Sequence, residues 1–135
     1  MRMKQAIPIG TLLFTSSAAM AGLVQPAPVE VTLFGNGGGI ATGDMVTARF
    51  SKNEVEFIGC GVRRIYTVDG SAVSFGFCNA MTANQVNGSC STEDPFLIES
   101  LASISAYSFI TFTWNAAGSC TAVGNSTQSV YIPSK

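Results

Sequence analysis

Four cysteines constrain the fold of this chain more than any other feature; they are Cys60, Cys78, Cys90 and Cys120. None of them belongs to a C-x2-C pair, and the chain contains no histidine. Zinc sites usually combine close cysteine pairs with histidines, and thiol redox sites usually carry a C-x-x-C motif. An even number of isolated cysteines in a short chain instead predicts two structural disulfides if the chain reaches an oxidising compartment. Three pairings are open in principle; a turn centred on Asn84 would place Cys78 opposite Cys90, which favours Cys78–Cys90 with Cys60–Cys120.

The first 21 residues have the features of a secretory signal peptide. Arg2 and Lys4 form a basic start, an apolar stretch covers 6–14, and Ala19-Met20-Ala21 places small residues where signal peptidase cleaves. Export should therefore remove residues 1–21 and leave an extended lead-in over 22–28 and a single domain over 29–135. No other apolar run reaches the roughly 20 residues that a membrane-spanning helix needs. The protein is expected to be secreted or periplasmic, where disulfides persist.

Alternation of apolar and polar residues with period two predicts a β-rich domain. The glycine-rich segment 35–44 is interpreted as a flexible loop, since neither a lysine nor a hydroxyl residue stands at the positions that a phosphate-binding loop requires. A further turn is expected within 83–87. The predicted strands cover 29–33, 45–50, 55–68, 71–78, 107–114, 120–123 and 129–132.

The turn between the two longest central strands decides which cysteines face each other. Asp69-Gly70 predicts a two-residue type I′ turn, in which both central residues have positive φ. That turn would place Cys60 opposite Asn79 rather than Cys78. A direct Cys60–Cys78 bridge would then require a bulge.

One helix is expected, and it begins near Asp94-Pro95. Aspartate is a good N-cap and proline is favoured at the first helical position. Leu97, Leu101 and Ile104 recur at helical spacing and give the helix one apolar face. The pattern as a whole predicts an α+β domain: a small antiparallel β-sheet with one short helix packed on one face, and two disulfides.

The residue types leave little catalytic chemistry. Without histidine the chain lacks the commonest general base, and cysteines held in disulfides cannot act as thiolates. Because Asp69 lies in a turn and Glu93 and Asp94 lie at a helix start, we predict structural roles for these acids. We also predict no catalytic residue, no metal and no cofactor. A carboxylate pair, as in glycoside hydrolases, is the chemistry that remains; its candidates are Glu54, Glu56, Asp69, Glu93, Asp94 and Glu99.

A binding surface is the better prediction, and it centres on Arg63 and Arg64. The net charge of −1 and the absence of a basic stripe argue against nucleic acid as the partner. Consecutive strand residues point to opposite faces, so one arginine would approach the helix side unless a twist exposes both. An arginine near Tyr66, Trp114 or Tyr131 would form a surface for an extracytoplasmic protein or a carbohydrate. The alternative is that Trp114 lies in the core and both arginines are solvated.

We therefore predict an exported, non-catalytic binding module of the partner or inhibitor type. The alternative function is a small secreted hydrolase that uses a carboxylate pair. These two functions differ in what they require of the surface: the hydrolase needs two carboxylates about 5–10 Å apart in an open cleft, whereas the binding module needs an exposed aromatic or apolar patch.

Several short motifs resemble those of a group of small secreted bacterial proteins of uncharacterised function. The shared features are an F/YIGC strand, later single cysteines, a Ser/Thr-acid-Pro helix start and an aromatic strand that ends in Trp. The resemblance spans residues 49–133 and implies a common fold and export, but no activity. The motifs are ARFS, EFIGC, CSTEDPFLIESL, SFITFTW, GSCT and NSTQSVYIP.

Overall fold

The structure is a computed structural model that describes residues 22–133. This part of the chain forms two antiparallel sheets and two short helices. The predicted signal peptide over 1–21 lies outside the described residues. The first sheet has the order β1-β2-β6-β7 and the second has the order β3-β4-β5. The α+β class, the antiparallel pairing and the two disulfides are as predicted. The elements are β1 (Glu30–Leu33), β2 (Gly39–Asp44), α1 (Met45–Arg49), β3 (Phe57–Tyr66), β4 (Ala72–Met81), β5 (Asn87–Thr92), α2 (Pro95–Ala102), β6 (Phe109–Trp114), β7 (Cys120–Ser126) and a 3₁₀ helix (Ser129–Tyr131).

One hydrophobic cluster takes side chains from both sheets. Ile110 and Phe112 of β6 are fully buried at its centre. The Trp114 ring contacts Gly39 of its own sheet and Gly88 of the other: a Cβ added at Gly88 would lie 2.7 Å from a ring atom, and one added at Gly39 would lie closer still. Trp114 therefore packs between the two sheets.

The prediction that residues 35–44 form a flexible loop is wrong. Only a tight turn separates β1 from β2, closed by the Phe34 N–H donating to the Gly38 carbonyl at 2.7 Å. The strand β2 that follows is paired on both sides, with β1 and with β6. The glycines of the turn and of β2 allow close packing: a Cβ at Gly38 in the turn would lie 2.5 Å from the backbone oxygen of Trp114, and one at Gly43 in β2 would lie 3.0 Å from the Cα of Val29.

The strand predicted over 45–50 is instead the helix α1. Asp44 ends β2 and caps this helix, since its Oδ1 accepts a hydrogen bond from the Thr47 N–H at 2.7 Å. An aspartate before a short apolar segment was the sequence signal for this cap. The strand predicted over 129–132 is likewise wrong, because residues Ser129–Tyr131 form the 3₁₀ helix.

The turn between β3 and β4 differs from the predicted type I′ turn, and the difference changes the disulfide pairing. The Gly70 N–H donates to the Thr67 carbonyl at 2.9 Å and only Gly70 has positive φ (85°), as in a three-residue loop with a glycine bulge. The strand register then shifts by one residue and places Cys60 directly opposite Cys78.

The disulfides are Cys60–Cys78 and Cys90–Cys120, so the favoured pairing was wrong. The second hairpin does place Cys78 opposite Cys90, as the turn within 83–87 predicted. Cys78 is thus flanked by a cysteine on each side, and it bonds to the one on β3. Cys90 bonds instead to Cys120 on β7, which links the two sheets covalently.

The helix α2 begins as predicted. The Asp94 side chain accepts hydrogen bonds from the Phe96 N–H at 2.8 Å and the Leu97 N–H at 3.2 Å. Ile98 and Leu101 are buried on the apolar face. Among residues 22–133, no helix has the length and apolarity needed to cross a bilayer.

Candidate functional site

Three of the four predicted binding residues lie on a projecting β-hairpin. Every residue from Arg63 to Ala72 is exposed, and we call this segment (residues 63–72) the arm. Tyr66 is 82% exposed and Ile65 is 50% exposed, while Val68 at the turn is fully exposed. The arm therefore presents large apolar side chains to solvent, which isolated monomeric proteins usually avoid as a group.

The two arginines of the arm have different surroundings. Arg63 lies over the Phe77 ring, with its guanidinium carbon 5.4 Å from the ring centroid. That contact anchors Arg63 to the outer face of the sheet by a cation–π interaction. Arg64 alternates onto the opposite face, which it shares with Tyr66. Arg64 and Tyr66 therefore form an adjacent cationic and aromatic pair on one face of the arm.

Trp114, the fourth predicted binding residue, does not reach the surface. It is 8% exposed and packs in the core between Gly39 and Gly88. The large residue thus occupies space that the two glycines leave open. Its assignment to a binding surface is corrected: Trp114 holds the two sheets together.

A cleft beside α1 is a second candidate site, which the sequence did not reveal. It has a volume of about 550 Å³, within the range of ligand pockets. Its apolar wall includes Phe50, Phe57 and Tyr107, which are 72%, 45% and 48% exposed. Tyr107 has φ of 62°, a left-handed conformation that is uncommon for a residue with a bulky side chain and is found preferentially at functional sites. We call this site the α1 cleft.

The polar groups of the α1 cleft are Arg49, Asn53, Glu54 and Glu56. Glu56 is already engaged: its Oε1 accepts from the Val29 N–H at 2.8 Å, and its Oε2 accepts from Asn53 Nδ2 at 2.8 Å. Glu54 is exposed on the loop between α1 and β3. The cleft thus combines aromatic walls with one carboxylate that holds the loop and one that faces solvent, which suits a ligand with an apolar and a cationic part.

The other carboxylate candidates lie apart from the α1 cleft. Asp94 caps α2, and Glu99 is exposed on that helix. Asp69 lies in the turn of the arm, where hydrogen bonds from the Thr67 side chain and then from the Ser71 backbone lower its pKa to about 2. Glu93 lines a shallow polar cavity of about 460 Å³ with Phe75, Ser91, Thr92 and Ser119.

The most deeply buried carboxylate, Asp44, was not among the candidates. It is 1% exposed, and its Oδ2 accepts hydrogen bonds from the Ala27 N–H at 2.7 Å and from the Thr47 hydroxyl at 2.5 Å. These bonds fix the lead-in segment and the start of α1. Asp44 therefore has a structural explanation for its burial.

Within residues 22–133, no group of three or more histidine, cysteine, aspartate or glutamate side chains is arranged to hold a metal ion. Comparison of the chain with family models, with curated proteins and with solved structures finds no match. The resemblance to small secreted bacterial proteins therefore stays a prediction, and the candidate sites rest on their own geometry.

Proposed function

We propose that this protein is an exported, non-catalytic module that binds a protein partner through the arm. The observation that carries the proposal is the exposure of residues 63–72, which leaves the large apolar side chains of Ile65, Tyr66 and Val68 in solvent. Tyrosine and arginine are enriched at protein interfaces, and the arm carries both. Exposing these apolar side chains is unfavourable in a free monomer, and a partner surface would remove them from water.

The backbone of the arm also favours a protein over a carbohydrate. The strand β3 lies at the edge of its sheet, so its outer N–H and C=O groups have no neighbouring strand in that sheet. Such an edge pairs readily with another polypeptide segment. A carbohydrate offers no matching ladder of amide groups. Export is supported by the sequence of residues 1–21 and by two disulfides, which persist in oxidising compartments.

A photo-crosslinking experiment tests the proposal. A photoreactive phenylalanine analogue replaces Tyr66 in one variant and Ala122, an exposed residue of β7, in the matched control. Each full-length variant is produced in the native host and irradiated. We expect an adduct of discrete mass, formed with a protein, at position 66 and none at position 122. Equal labelling at the two positions, or no protein adduct at position 66, would show that the arm binds no protein.

A further inference from the structure

We infer that the partner of the arm is a second copy of this chain, which receives the arm in its α1 cleft. The inference rests on the proposed function, since it takes the arm as the binding element and names its partner. Three features of the molecule carry it: the separation of arm and cleft, their charges and their apolar side chains.

The arm and the α1 cleft lie at opposite ends of one strand. Phe57, at the start of β3, lines the cleft, and Tyr66, at its end, belongs to the arm. A strand rises about 3.3 Å per residue, so these two residues are roughly 30 Å apart. The arm therefore cannot fold back into the cleft of its own molecule, and any contact between them joins two copies.

The charges of the two surfaces are complementary. The arm carries Arg63 and Arg64 against a single acid, Asp69, whereas the α1 cleft carries Glu54 and Glu56 against a single base, Arg49. Since Arg63 is held over Phe77, Arg64 is the arginine that projects from the opposite face of the arm. Glu54 is the cleft carboxylate that is exposed to solvent. Arg64 of one copy and Glu54 of the next are therefore the expected ion pair.

The apolar side chains are complementary as well. Tyr66 lies on the same arm face as Arg64, so both side chains would reach one partner surface together. In the α1 cleft, Phe50, Phe57 and Tyr107 supply aromatic walls beside Glu54. Insertion of Tyr66 would cover exposed apolar surface on both copies. The contact uses different surfaces on its two sides, so it is heterologous and builds open chains, or a ring if the rotation closes.

Charge reversal tests the arm-in-cleft contact with the protein alone. The full chain is expressed with its own N-terminal segment in an exporting host and is purified in the form that the host leaves. Sedimentation and light scattering then follow the weight-average mass up to about 1 mM protein, where even millimolar association registers. We expect the wild-type mass to rise with concentration, and Arg64→Glu and Glu54→Arg each to weaken association about tenfold or more.

Mixing the two variants makes the test specific. In an equimolar mixture, the arm of the Arg64→Glu variant meets the cleft of the Glu54→Arg variant, and the unaltered arm meets the unaltered cleft, so opposite charges can face each other at every contact. Association should return in the mixture and in the double variant. Glu99→Arg, an identical charge change on the exposed side of α2, is the control and should leave association unchanged. Tyr66→Ser, which alters no charge, should weaken association, and mixing this variant with either charge variant should not restore it.

Four results would overturn the inference. A mass that stays monomeric up to about 1 mM excludes a second copy as the partner. Failure of the mixture to recover shows that the copies meet elsewhere. A crosslink from position 66 to a different protein, with the purified chain monomeric, removes the second copy as partner and leaves the proposed binding function standing. Absence of any crosslink from the arm would remove both.

Discussion

At the scale of single residues, the contacts of Trp114 with two glycines set the spacing of the core. A Cβ at Gly88 would lie 2.7 Å from the tryptophan ring, so Gly88→Ala should displace the ring and cost about 1–3 kcal/mol of unfolding free energy. Gly59→Ala is the matched control, because a Cβ at Gly59 meets no atom within 4 Å. We expect Gly59→Ala to be neutral or to stabilise by about 0.4–1 kcal/mol.

Urea unfolding followed by tryptophan emission measures both variants, since Trp114 is the only tryptophan of the chain. Emission of the folded Gly88→Ala protein should also change, while that of Gly59→Ala should not. Equal stability of the two variants would mean that the ring does not pack against Gly88.

Asp69 is the residue whose titration reports on the arm. Hydrogen bonds from the Thr67 side chain and the Ser71 backbone lower its pKa from 3.8 to about 2. Because the folded-state pKa lies below the unfolded value, these bonds stabilise the turn fully above about pH 4, and their contribution is lost as the pH falls through about 2. Side-chain NMR of Asp69 should give a midpoint near that lower value, and Thr67→Val should raise it. A midpoint near 3.8 in the wild type would contradict the hydrogen-bonded turn.

At the scale of elements, we expect the arm to tolerate shortening without loss of the fold. Deletion of Ile65, Tyr66, Ala72 and Val73 removes two facing pairs and keeps the turn and the register of Cys60 with Cys78. Three of these four residues are exposed and none belongs to the buried core, so the unfolding free energy should change by about 1 kcal/mol or less. Association should be abolished. Urea unfolding and sedimentation of the same sample check both expectations. If the shortened chain fails to fold, the arm belongs to the cooperative core.

The elements that sequence reasoning predicted well are those with local chemistry. The start of α2 follows from the cap at Asp94 and the proline after it, and the aromatic strand before Trp114 follows from residue type. The failures come from glycine and from register. In β2 the glycines admit close neighbours rather than flexibility, and only the fold brings those neighbours near. A one-residue difference in the turn at Gly70 was enough to place Cys60 opposite Cys78 rather than opposite Asn79.

At the scale of the whole molecule, the arm was predictable and the α1 cleft was not. Arg63, Arg64 and Tyr66 are neighbours in the sequence, so their hairpin placed them together. The cleft instead combines α1, the loop that carries Glu54 and the distant Tyr107, and tertiary structure alone brings these together. The sequence over 45–50 also predicts a strand where the structure has α1, so the pattern does not indicate the helix that forms one side of the cleft.

The two sheets should unfold as one unit, because Trp114 and the Cys90–Cys120 disulfide both join them. Removing that disulfide by Cys90→Ala with Cys120→Ala opens a loop of sequence separation 30, which the chain-entropy expression values at about 3.7 kcal/mol. The Cys60–Cys78 pair, with separation 18, gives about 3.2 kcal/mol and is the matched control. Both double variants should lose stability, the Cys90/Cys120 variant more than the Cys60/Cys78 variant. Each should keep a single transition, since the hydrophobic core shared by the sheets remains.

Circular dichroism reports the strands and Trp114 emission reports the contact between the sheets; their urea transitions should coincide. An earlier emission change in the Cys90/Cys120 variant would mean that the disulfide, rather than the core, couples the sheets.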